Sequence, residues 1–568
     1  MRSISRKIII RNLIVKTNSG KVEGKEASSI LQDEKFYSFA GIPYAKPPVG
    51  SLRFMSPEPH PGWEDVLDAK NEKKSCAQTD FRRSFRGVED CLNLSIHTPK
   101  LPAATGDLNL PVIVFLYSEH FQSSFNGSKD FGPDFFMKED VIIVNVHHRL
   151  GALGFLCFED DLLPGNNALR DVILALKWIK ENIKFFGGDP KQVTLMGSQT
   201  GGVLVEILLH SPKAKGLFNA AIIQSGTLWN SQYFNGKGRE KAIEYSKALN
   251  EESATSSFLL KRFADIPAKN LTESETYAVH ADEARSIQRG VPPFGPVIEH
   301  NHPDAVITEL PDNKPIDFGI PVMIGFNSRE AIEMSERYLL KPQYLTFADR
   351  DFLMLFPIRV GYHFKINDNI YAQAVQDIKD HYFDEGYIKI SKPGEYLSYI
   401  GDITSFYPTD YAVRKYTNVS SSPVFYYMFD YSGELNMKKK RTLENAINID
   451  GAWGASIGDE LCYMFVCNGI RKTYNKAFKD EDSEEIKVLQ NMVRLWTNFA
   501  KTGNPTPPKE KFTWPPATSE KKECLVITDE LTMVTRLYED KVQFWDDWIA
   551  KYRELAVDGV VYDIKDEL

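Results

Sequence analysis

The 568-residue sequence has no uninterrupted apolar run of the roughly 18 residues that a membrane-spanning helix needs. It has only six cysteines, and none of their spacings is typical of a zinc or redox site, so we predict neither a metal ion nor another cofactor. Basic residues are not in excess, because 68 Lys and Arg stand against 77 Asp and Glu and the net charge is -9. Since the cations form no basic stripe, nucleic acid is not an expected partner.

The composition that is present is that of an ordinary globular protein, with 42% hydrophobic and 26% charged residues. Short continuous apolar runs alternate with amphipathic segments such as residues 169–186, and such runs are typical of strands that are buried on both faces. The predicted buried strands are residues 112–116, 141–146, 193–196, 220–224 and 321–325. We therefore predict a single α/β domain over residues 1–568, in which helices cover both faces of a large, mostly parallel, twisted sheet.

The two ends of the chain suggest different locations. Residues 565–568 read Lys-Asp-Glu-Leu, a retrieval address for the lumen of the endoplasmic reticulum, and we expect that location if the chain is translocated. The apolar run at residues 8–15 is interrupted by Arg11 and Asn12, so it resembles a first strand more than a secretion signal. A cytoplasmic location is therefore the alternative. Sequons that would be glycosylated in the lumen begin at Asn126, Asn270 and Asn418.

Two further groups of residues have ordinary structural interpretations. Four cysteines are expected to be buried free thiols, namely Cys157, Cys462, Cys467 and Cys524. Because Cys462 and Cys467 are five residues apart in a predicted helix, we expect them to face different sides. The basic run at residues 438–441, Lys-Lys-Lys-Arg, is flanked by polar residues and is predicted to be a solvated loop.

Residues 193–203 form the segment with an identifiable catalytic geometry. A buried strand runs into a Gly-x-X-x-Gly turn and then into a helix, which is the pattern of a nucleophile elbow. Gly197 and Gly201 take the small positions of this turn, so the nucleophile position is Gln199, whose amide is not a useful nucleophile at neutral pH. Centring the elbow on Ser198 would place two larger side chains at the small positions, so Ser198 is disfavoured as the nucleophile of this turn.

Motifs along nearly the whole chain are similar to those of one family. They are residues 39–50, 52–54, 89–94, 149–155, 164–166, 186–190, 224–226, 294–297 and 499–505. The sequence resembles a type-B carboxylesterase of the cholinesterase-like α/β-hydrolase family and is most similar to insect carboxylesterases. This resemblance implies the α/β-hydrolase fold and a disulfide between Cys91 and the upstream Cys76.

The resemblance also implies where the catalytic groups would lie, and the sequence departs from the family pattern at most of them. Gln199 stands where the family has its acylated serine, and Ile457 stands where it has the catalytic histidine, whereas Glu330 retains the catalytic acid. The oxyanion-hole positions are occupied by Ser118, Glu119 and Thr200. In the family, glycines in this loop let backbone N–H groups face the developing oxyanion. The triad is therefore predicted to be degenerate.

The distribution of histidines agrees with this interpretation. All eleven lie at or before His381, and the α/β-hydrolase order along the chain is nucleophile, acid, histidine. Only His363 and His381 follow Glu330, and neither lies in a fitting motif, so no catalytic base is predicted. With no histidine to orient, Glu330 is expected to accept a hydrogen bond from Gln199.

We accordingly expect a protein that lacks ester hydrolysis and binds or sequesters a hydrophobic ester-like ligand. One alternative is a non-catalytic cholinesterase-like scaffold that binds a protein partner. Another is an active carboxylic ester hydrolase with relocated machinery, in which Ser118 or Ser198 is assisted by Glu119 and His120.

Overall fold

The computed structural model describes residues 13–31, 34–79, 84–103, 107–234, 238–251, 255–279, 283–312, 317–480 and 482–555. The Lys-Asp-Glu-Leu address at residues 565–568 and the first part of the predicted N-terminal strand lie outside these residues. The part of that prediction that falls within them is confirmed, because strands at Leu13–Thr17 and Gly20–Ser28 form an antiparallel hairpin.

The described residues contain thirteen strands in one sheet and two small two-stranded sheets. In chain order the strands are β1 Leu13–Thr17, β2 Gly20–Ser28, β3 Lys35–Pro43, β4 Val66–Asp68, β5 Gln78–Thr79, β6 Phe85–Arg86, β7 Asn93–Thr98, β8 Leu110–Ser118, β9 Phe131–Gly132, β10 Ile142–Val146, β11 Gly188–Gln199, β12 Ala220–Gln224, β13 Val322–Asn327, β14 Val424–Phe429, β15 Val466–Cys467, β16 Cys524–Ile527 and β17 Leu531–Val534. The large sheet has the order β1-β2-β3-β7-β10-β8-β11-β12-β13-β14-β16-β17, with β4 paired to β2.

The centre of this sheet is parallel. Seven neighbouring strands, from β10 through β8, β11, β12, β13 and β14 to β16, pair in parallel, and antiparallel strands extend the sheet at both ends. All five predicted buried strands belong to this central set. The prediction of a mostly parallel sheet is thus confirmed.

Strand β8 shows why the apolar runs are continuous. Successive side chains of a strand point to opposite faces of the sheet. Val112 and Val114 accordingly belong to one hydrophobic core, whereas Ile113 and Phe115 belong to the other. Because both faces are covered, no position along the strand is left for a polar residue.

Helices cover the two faces of the sheet. The α-helices are α1 Asp134–Met137, α2 Gly151–Phe155, α3 Asn167–Asn182, α4 Thr200–His210, α5 Gly238–Ala248, α6 Ser256–Phe263, α7 Ala268–Glu273, α8 Glu283–Ile287, α9 Ala331–Met334, α10 Glu336–Leu340, α11 Leu345–Arg350, α12 Asn369–Tyr382, α13 Pro393–Gly401, α14 Tyr407–Val419, α15 Met437–Leu443, α16 Arg471–Ala477, α17 Glu484–Thr502 and α18 Glu539–Leu555. A π-helical segment, Asp402–Phe406, joins α13 to α14. In the part of the chain that the structure describes, none of these helices combines the length and the apolar character needed to cross a membrane.

Two of the expectations for cysteine are confirmed. Cys76 and Cys91 form a disulfide, with their Cα atoms 4.9 Å apart. Cys157 and Cys524 are buried free thiols.

The prediction for the remaining two cysteines is wrong, because Cys462 and Cys467 are joined by a disulfide. The predicted helix does not continue through both residues: a 3-10 helix ends at Tyr463, and the chain then turns into the short strand β15. This turn brings the two Cα atoms to 5.3 Å, within the range that a disulfide spans.

The prediction of a solvated loop at residues 438–441 is also wrong. These residues lie in α15, and the side chain of Lys438 is only 13% exposed. Lys439 is buried and its ammonium donates hydrogen bonds to the Gly454 carbonyl and the Ser432 hydroxyl, both at 2.7 Å. Lys440 alone of these three has an exposed ion pair, with Glu434. Lys438 and Lys439 point inward because buried acceptor groups face this side of the helix.

Candidate functional site

The predicted elbow is present at the junction of β11 and α4. Gln199 ends the strand with φ 54° and ψ -127°, a strained conformation for a residue with a side chain, and α4 starts at Thr200. Such strain costs about 1–3 kcal/mol and persists only where the surrounding structure enforces it. The elbow geometry is therefore retained although the residue at its centre is an amide.

Close backbone contacts enforce the small residues around the elbow. A Cβ atom on Gly197 would lie 2.2 Å from the carbonyl oxygen of Gly201, and one on Gly201 would lie 2.5 Å from that of Leu116. A Cβ atom on Gly226, which follows β12, would lie 2.0 Å from the carbonyl oxygen of Gln199. Three glycines thus let the neighbouring strands close around this turn.

The side chain of Gln199 is held by a tyrosine. Gln199 is only 5% exposed, and its Nε2 donates a hydrogen bond to the Tyr117 hydroxyl at 3.1 Å. The Tyr117 hydroxyl in turn donates to the carboxylate of Glu119. The hydrogen bond expected between Gln199 and Glu330 is not formed; instead, Glu330 accepts from the Asn327 N–H at 2.8 Å and from the Ser405 hydroxyl. Donors from the neighbouring segments, Asn327, Ser405 and Ser225, thus engage Glu330 in place of the amide.

Glu119 belongs to a partly buried ionic cluster that continues beyond Tyr117, in which the side chains of Lys438, Glu119 and Glu333 are 13%, 22% and 34% exposed. The ammonium of Lys438 lies 2.7 Å from Glu119 Oε1 and 3.2 Å from Glu333 Oε2. Burial by itself would raise the pKa of Glu119, but the Lys438 charge and the Tyr117 hydroxyl outweigh it and hold the pKa at about 2. Burial raises the pKa of Glu333, although Lys438 opposes this. A carboxylate that is charged at neutral pH therefore occupies the predicted oxyanion loop.

Hydrogen bonds within the chain also engage the rest of this loop. The Ser118 and Thr200 hydroxyl oxygens are 2.9 Å apart, and Thr200 Oγ1 accepts from the Phe121 N–H at 3.0 Å. The N–H of Glu119 donates to the Ser123 carbonyl at 2.8 Å. A donor that is already bonded inside the protein is not available to an oxyanion. Two of the loop's backbone N–H groups are accordingly committed.

The segment that contains Ile457 lies beside the elbow. Asn327 Nδ2 donates to the Ser456 carbonyl at 2.7 Å, which joins this segment to the end of β13. A Cβ atom on Gly458 would lie 3.3 Å from Gln199 Nε2. Ile457, between them, is half-buried and has no side-chain atom that can accept a proton. The structure thus brings Gln199 and the Ile457 segment together, and Glu330 lies next to both on the β13 side.

Known proteins are similar to nearly the whole length of this chain. A sequence model of the Carboxylesterase family matches residues 11–545. The chain belongs to the carboxylesterase family. It is 31% identical over 499 residues to Esterase FE4 of Myzus persicae, covering 86% of this chain and 84% of the relative. It is 31% identical over 535 residues to the juvenile hormone esterase of Tribolium castaneum, covering 91% and 88%.

A solved member of this family has the same fold. The structure of the juvenile hormone esterase from Manduca sexta with OTFP covalently attached superposes with a TM-score of 0.76 at 25% sequence identity. The match covers 95% of this chain and 100% of that chain. The fold is thus that of an α/β-hydrolase, as the sequence motifs implied.

The structure also places the other candidate nucleophile, Ser198, and two of the histidines considered above. Ser198 is fully buried, and its hydroxyl has no hydrogen-bond partner among the described residues. His381 stacks on Phe544, with ring centroids 3.7 Å apart, where α12 packs on α18. Burial lowers the pKa of His120, next to Glu119 in the loop. His381 is therefore held at the contact of α12 with α18, and the segment beside Gln199 contains Ile457.

Sequence reasoning missed three members of the site: Tyr117, Lys438 and Glu333. A signal for one of them was available, because a glutamate that directly follows a buried apolar strand needs a cation if its charge is buried. The basic run at residues 438–441 supplies that cation. Nothing in the sequence, however, indicated that Lys438, and not another residue of the run, pairs with Glu119.

Proposed function

We propose that this carboxylesterase-family protein binds a hydrophobic ester-like molecule and does not hydrolyse it. The observation that carries the proposal is the amide of Gln199 at the centre of an intact elbow. It is hydrogen-bonded to Tyr117, which is tied to the ion pair of Glu119 and Lys438. Groups that bind one another by hydrogen bonds and an ion pair thus stand where acyl transfer would need a nucleophile and an oxyanion hole.

Serine-type hydrolysis requires a nucleophile that can lose a proton, a base to take it and donors for the oxyanion. The amide of Gln199 meets the first requirement poorly, and Ile457 cannot meet the second. Removing such a triad costs about a millionfold in kcat in a serine protease, and what remains depends largely on the oxyanion hole. Here the Glu119 carboxylate, which is ionised at neutral pH, would repel an oxyanion. Both the triad and the remaining electrostatic contribution are therefore expected to be lost.

Aromatic side chains beside the elbow support a binding role. The ring of Phe121, whose N–H is bonded to Thr200, has its centroid 5.4 Å from those of Phe155 and Tyr233. Rings of this kind line most small-molecule sites. The Manduca sexta relative carries a covalently attached OTFP, and other relatives are named as esterases. An ester is for this reason the first class of ligand to test.

One observation favours the protein-interaction alternative. Ile447, Ile449 and Trp453 are 75%, 58% and 52% exposed and lie within seven residues of one another. Exposed apolar residues that cluster in this way often mark a contact with another protein. A scaffold role is thus the second candidate function.

The proposal is tested by measuring binding and hydrolysis of the same ester. Isothermal titration calorimetry with ethyl octanoate should give saturable binding, while gas chromatography detects no octanoate above the buffer rate. Replacing Tyr233→Ala removes part of the aromatic cluster and should weaken binding by at least about tenfold. Tyr344→Ala, at a tyrosine that contacts Phe347 in another part of the chain, serves as the matched control and should bind normally.

Two results would contradict the proposal in different ways. Octanoate release that disappears in Ser118→Ala would establish an active enzyme with relocated machinery. If ethyl octanoate fails to bind and a protein partner is retained by the natural chain but lost in Ile447→Ser, the scaffold role is correct.

We further propose that the protein resides in the lumen of the endoplasmic reticulum. Two disulfides support an oxidising compartment, since such bonds are rare in the cytosol. Of the predicted sequons, Asn270 and Asn418 are exposed, whereas Asn126 is half-buried. Protein from a secretory cell should lose mass on treatment with an N-glycosidase, and Asn418→Gln should abolish part of that loss. Protein that is not glycosylated and has reduced thiols would support the cytoplasmic alternative.

A further inference from the structure

A cavity of about 240 Å³ is lined by the loop that carries Glu330. The end of β13 and the residues that follow it form one wall, and the π-helical segment Asp402–Phe406 forms another. Single π-helical turns inside longer helices are frequent at functional sites. None of the lining residues belongs to the elbow or to the oxyanion loop, although Glu330, at the position of the catalytic acid, lies in the wall that faces the site.

Arg329 is the distinctive group in this cavity. Its guanidinium lies 3.7 Å from the ring centroid of Trp453, which is 52% exposed, and its Nη1 donates to the Ser398 hydroxyl at 2.7 Å. Its buried Nε has no hydrogen-bond partner, and within the described ranges no carboxylate lies within 4 Å of it. Asp402 and Asp430 stabilise the Arg329 charge from beyond this distance, but the unpaired Nε leaves the partly buried guanidinium free to bind an anionic ligand.

The acidic groups of the cavity are already engaged elsewhere. Asp402 lies 2.9 Å from the Lys541 ammonium and also accepts from the Tyr382 hydroxyl at 2.8 Å. Glu330 accepts from Asn327 and Ser405. Burial raises the pKa of both carboxyl groups, and the Lys541 ammonium offsets the charge of Asp402. Lys541 completes the positive side of the cavity.

The remaining walls are apolar. Leu397 and Phe406 are buried, and Trp453 covers Arg329 at the solvent side. Sites for drug-sized ligands are usually about 300–1,000 Å³, so this cavity suits a smaller molecule. A planar ring or a short alkyl chain would fill the apolar part while a negative group reaches the guanidinium.

We infer that this cavity, which we call the Arg329 pocket, binds a small monocarboxylate with an aromatic or short aliphatic body. The carboxylate accepts hydrogen bonds from Arg329, whose fork geometry matches it, and the body packs against Leu397, Phe406 and Trp453. Lys541 contributes long-range attraction while it remains paired with Asp402.

Ligand-observed fluorine NMR with 4-fluorobenzoate tests the inference on the full chain. The probe should bind saturably at one site, and 4-fluorobenzamide, which has the same shape without the charge, should bind at least about tenfold more weakly. Arg329→Gln should weaken the binding of 4-fluorobenzoate by at least about tenfold, because it removes the charge that the carboxylate contacts. Trp453→Ala changes an exposed residue, so it should fold normally and still lose affinity.

The matched control is Arg337→Gln. Arg337 is an exposed arginine whose guanidinium lies 4.3 Å from the ring centroid of Tyr344, so it presents the same chemistry without a cavity. This variant should bind 4-fluorobenzoate as the natural chain does. The inference is overturned if no saturable binding occurs below about 10 mM, where specific affinity would be negligible. It is equally overturned if Trp453→Ala and Arg329→Gln, each shown to be folded by circular dichroism, bind with unchanged affinity.

Discussion

Replacing Lys438→Met is expected to destabilise the protein by about 3 kcal/mol at pH 7. The substitution keeps the length of the side chain but removes the charge that lies 2.7 Å from Glu119 and 3.2 Å from Glu333. The pKa of Glu119 is about 2 against an ordinary value of 4.5. At about 1.4 kcal/mol for each pKa unit, the net shift corresponds to on the order of 3 kcal/mol, and Lys438 is the largest of the effects that lower this pKa. Because Lys438 and Glu119 are still 13% and 22% exposed, this value lies at the lower end of the roughly 3–5 kcal/mol lost when a fully buried pair loses one partner.

The stability that is lost in Lys438→Met should depend on pH. A carboxyl group whose folded pKa is below its unfolded pKa contributes its full stability above the unfolded value and loses it as the pH falls through the folded value. The stability contributed by Glu119 is thus complete above about pH 5 and declines towards pH 2. The difference between natural protein and Lys438→Met should therefore fall to less than half at pH 3.

Urea denaturation followed by tryptophan fluorescence, at pH 7 and at pH 3, measures both quantities. Lys440→Met is the matched control, since it lies in the same helix but its ion pair with Glu434 is 46% and 65% exposed. Exposed pairs of this kind contribute less than about 1 kcal/mol. The reasoning is refuted if Lys438→Met costs no more than Lys440→Met, or if its cost is the same at both pH values.

Three other changes have definite expected outcomes. The double replacement Gln199→Ser with Ile457→His should leave hydrolysis of p-nitrophenyl acetate at least about 100-fold below that of an intact esterase of the family, because each missing oxyanion donor costs about 100- to 1,000-fold in kcat. Replacing Cys462 and Cys467 together by serine should lower the free energy of unfolding by about 2 kcal/mol, as expected for so short a loop, and leave the fold intact by circular dichroism. Gly226→Ala should lower the thermal midpoint, at a cost of about 1–3 kcal/mol or more, since its Cβ would collide with the Gln199 carbonyl.

The fold was predictable from sequence because its strongest signals are local. Each of the five predicted apolar runs is a parallel strand, since burial on both faces makes such runs continuous. The elbow was predictable for a similar reason, because Gly197 and Gly201 lie within two residues of Gln199 and their small size is enforced by the turn itself.

The rest of the site depends on contacts between residues far apart in the chain. Lys438 and Glu119 are separated by 319 positions, and no local pattern shows that a basic run will turn one of its lysines inward. The hydrogen bond expected from Gln199 to Glu330 is not formed for the same reason. Tyr117 binds Gln199 and Ser405 binds Glu330, and both partners come from other elements of the fold. Likewise, the Cys462–Cys467 disulfide depends on where a short helix ends, which is the least certain part of any prediction from sequence.

These contacts also explain why restoring a serine is not expected to restore an enzyme. Glu119 in the loop is tolerable only with Lys438, and Lys438 in this position is tolerable only with its carboxylates, because either charge alone would be buried without a partner. Changing Gln199 and Ile457 leaves that ion pair in the oxyanion loop. Replacing only Glu119 or only Lys438 would leave the other charge without its partner and would destabilise the protein. Recovery of hydrolysis therefore requires Glu119 and Lys438 to be replaced together, in addition to the nucleophile and the base.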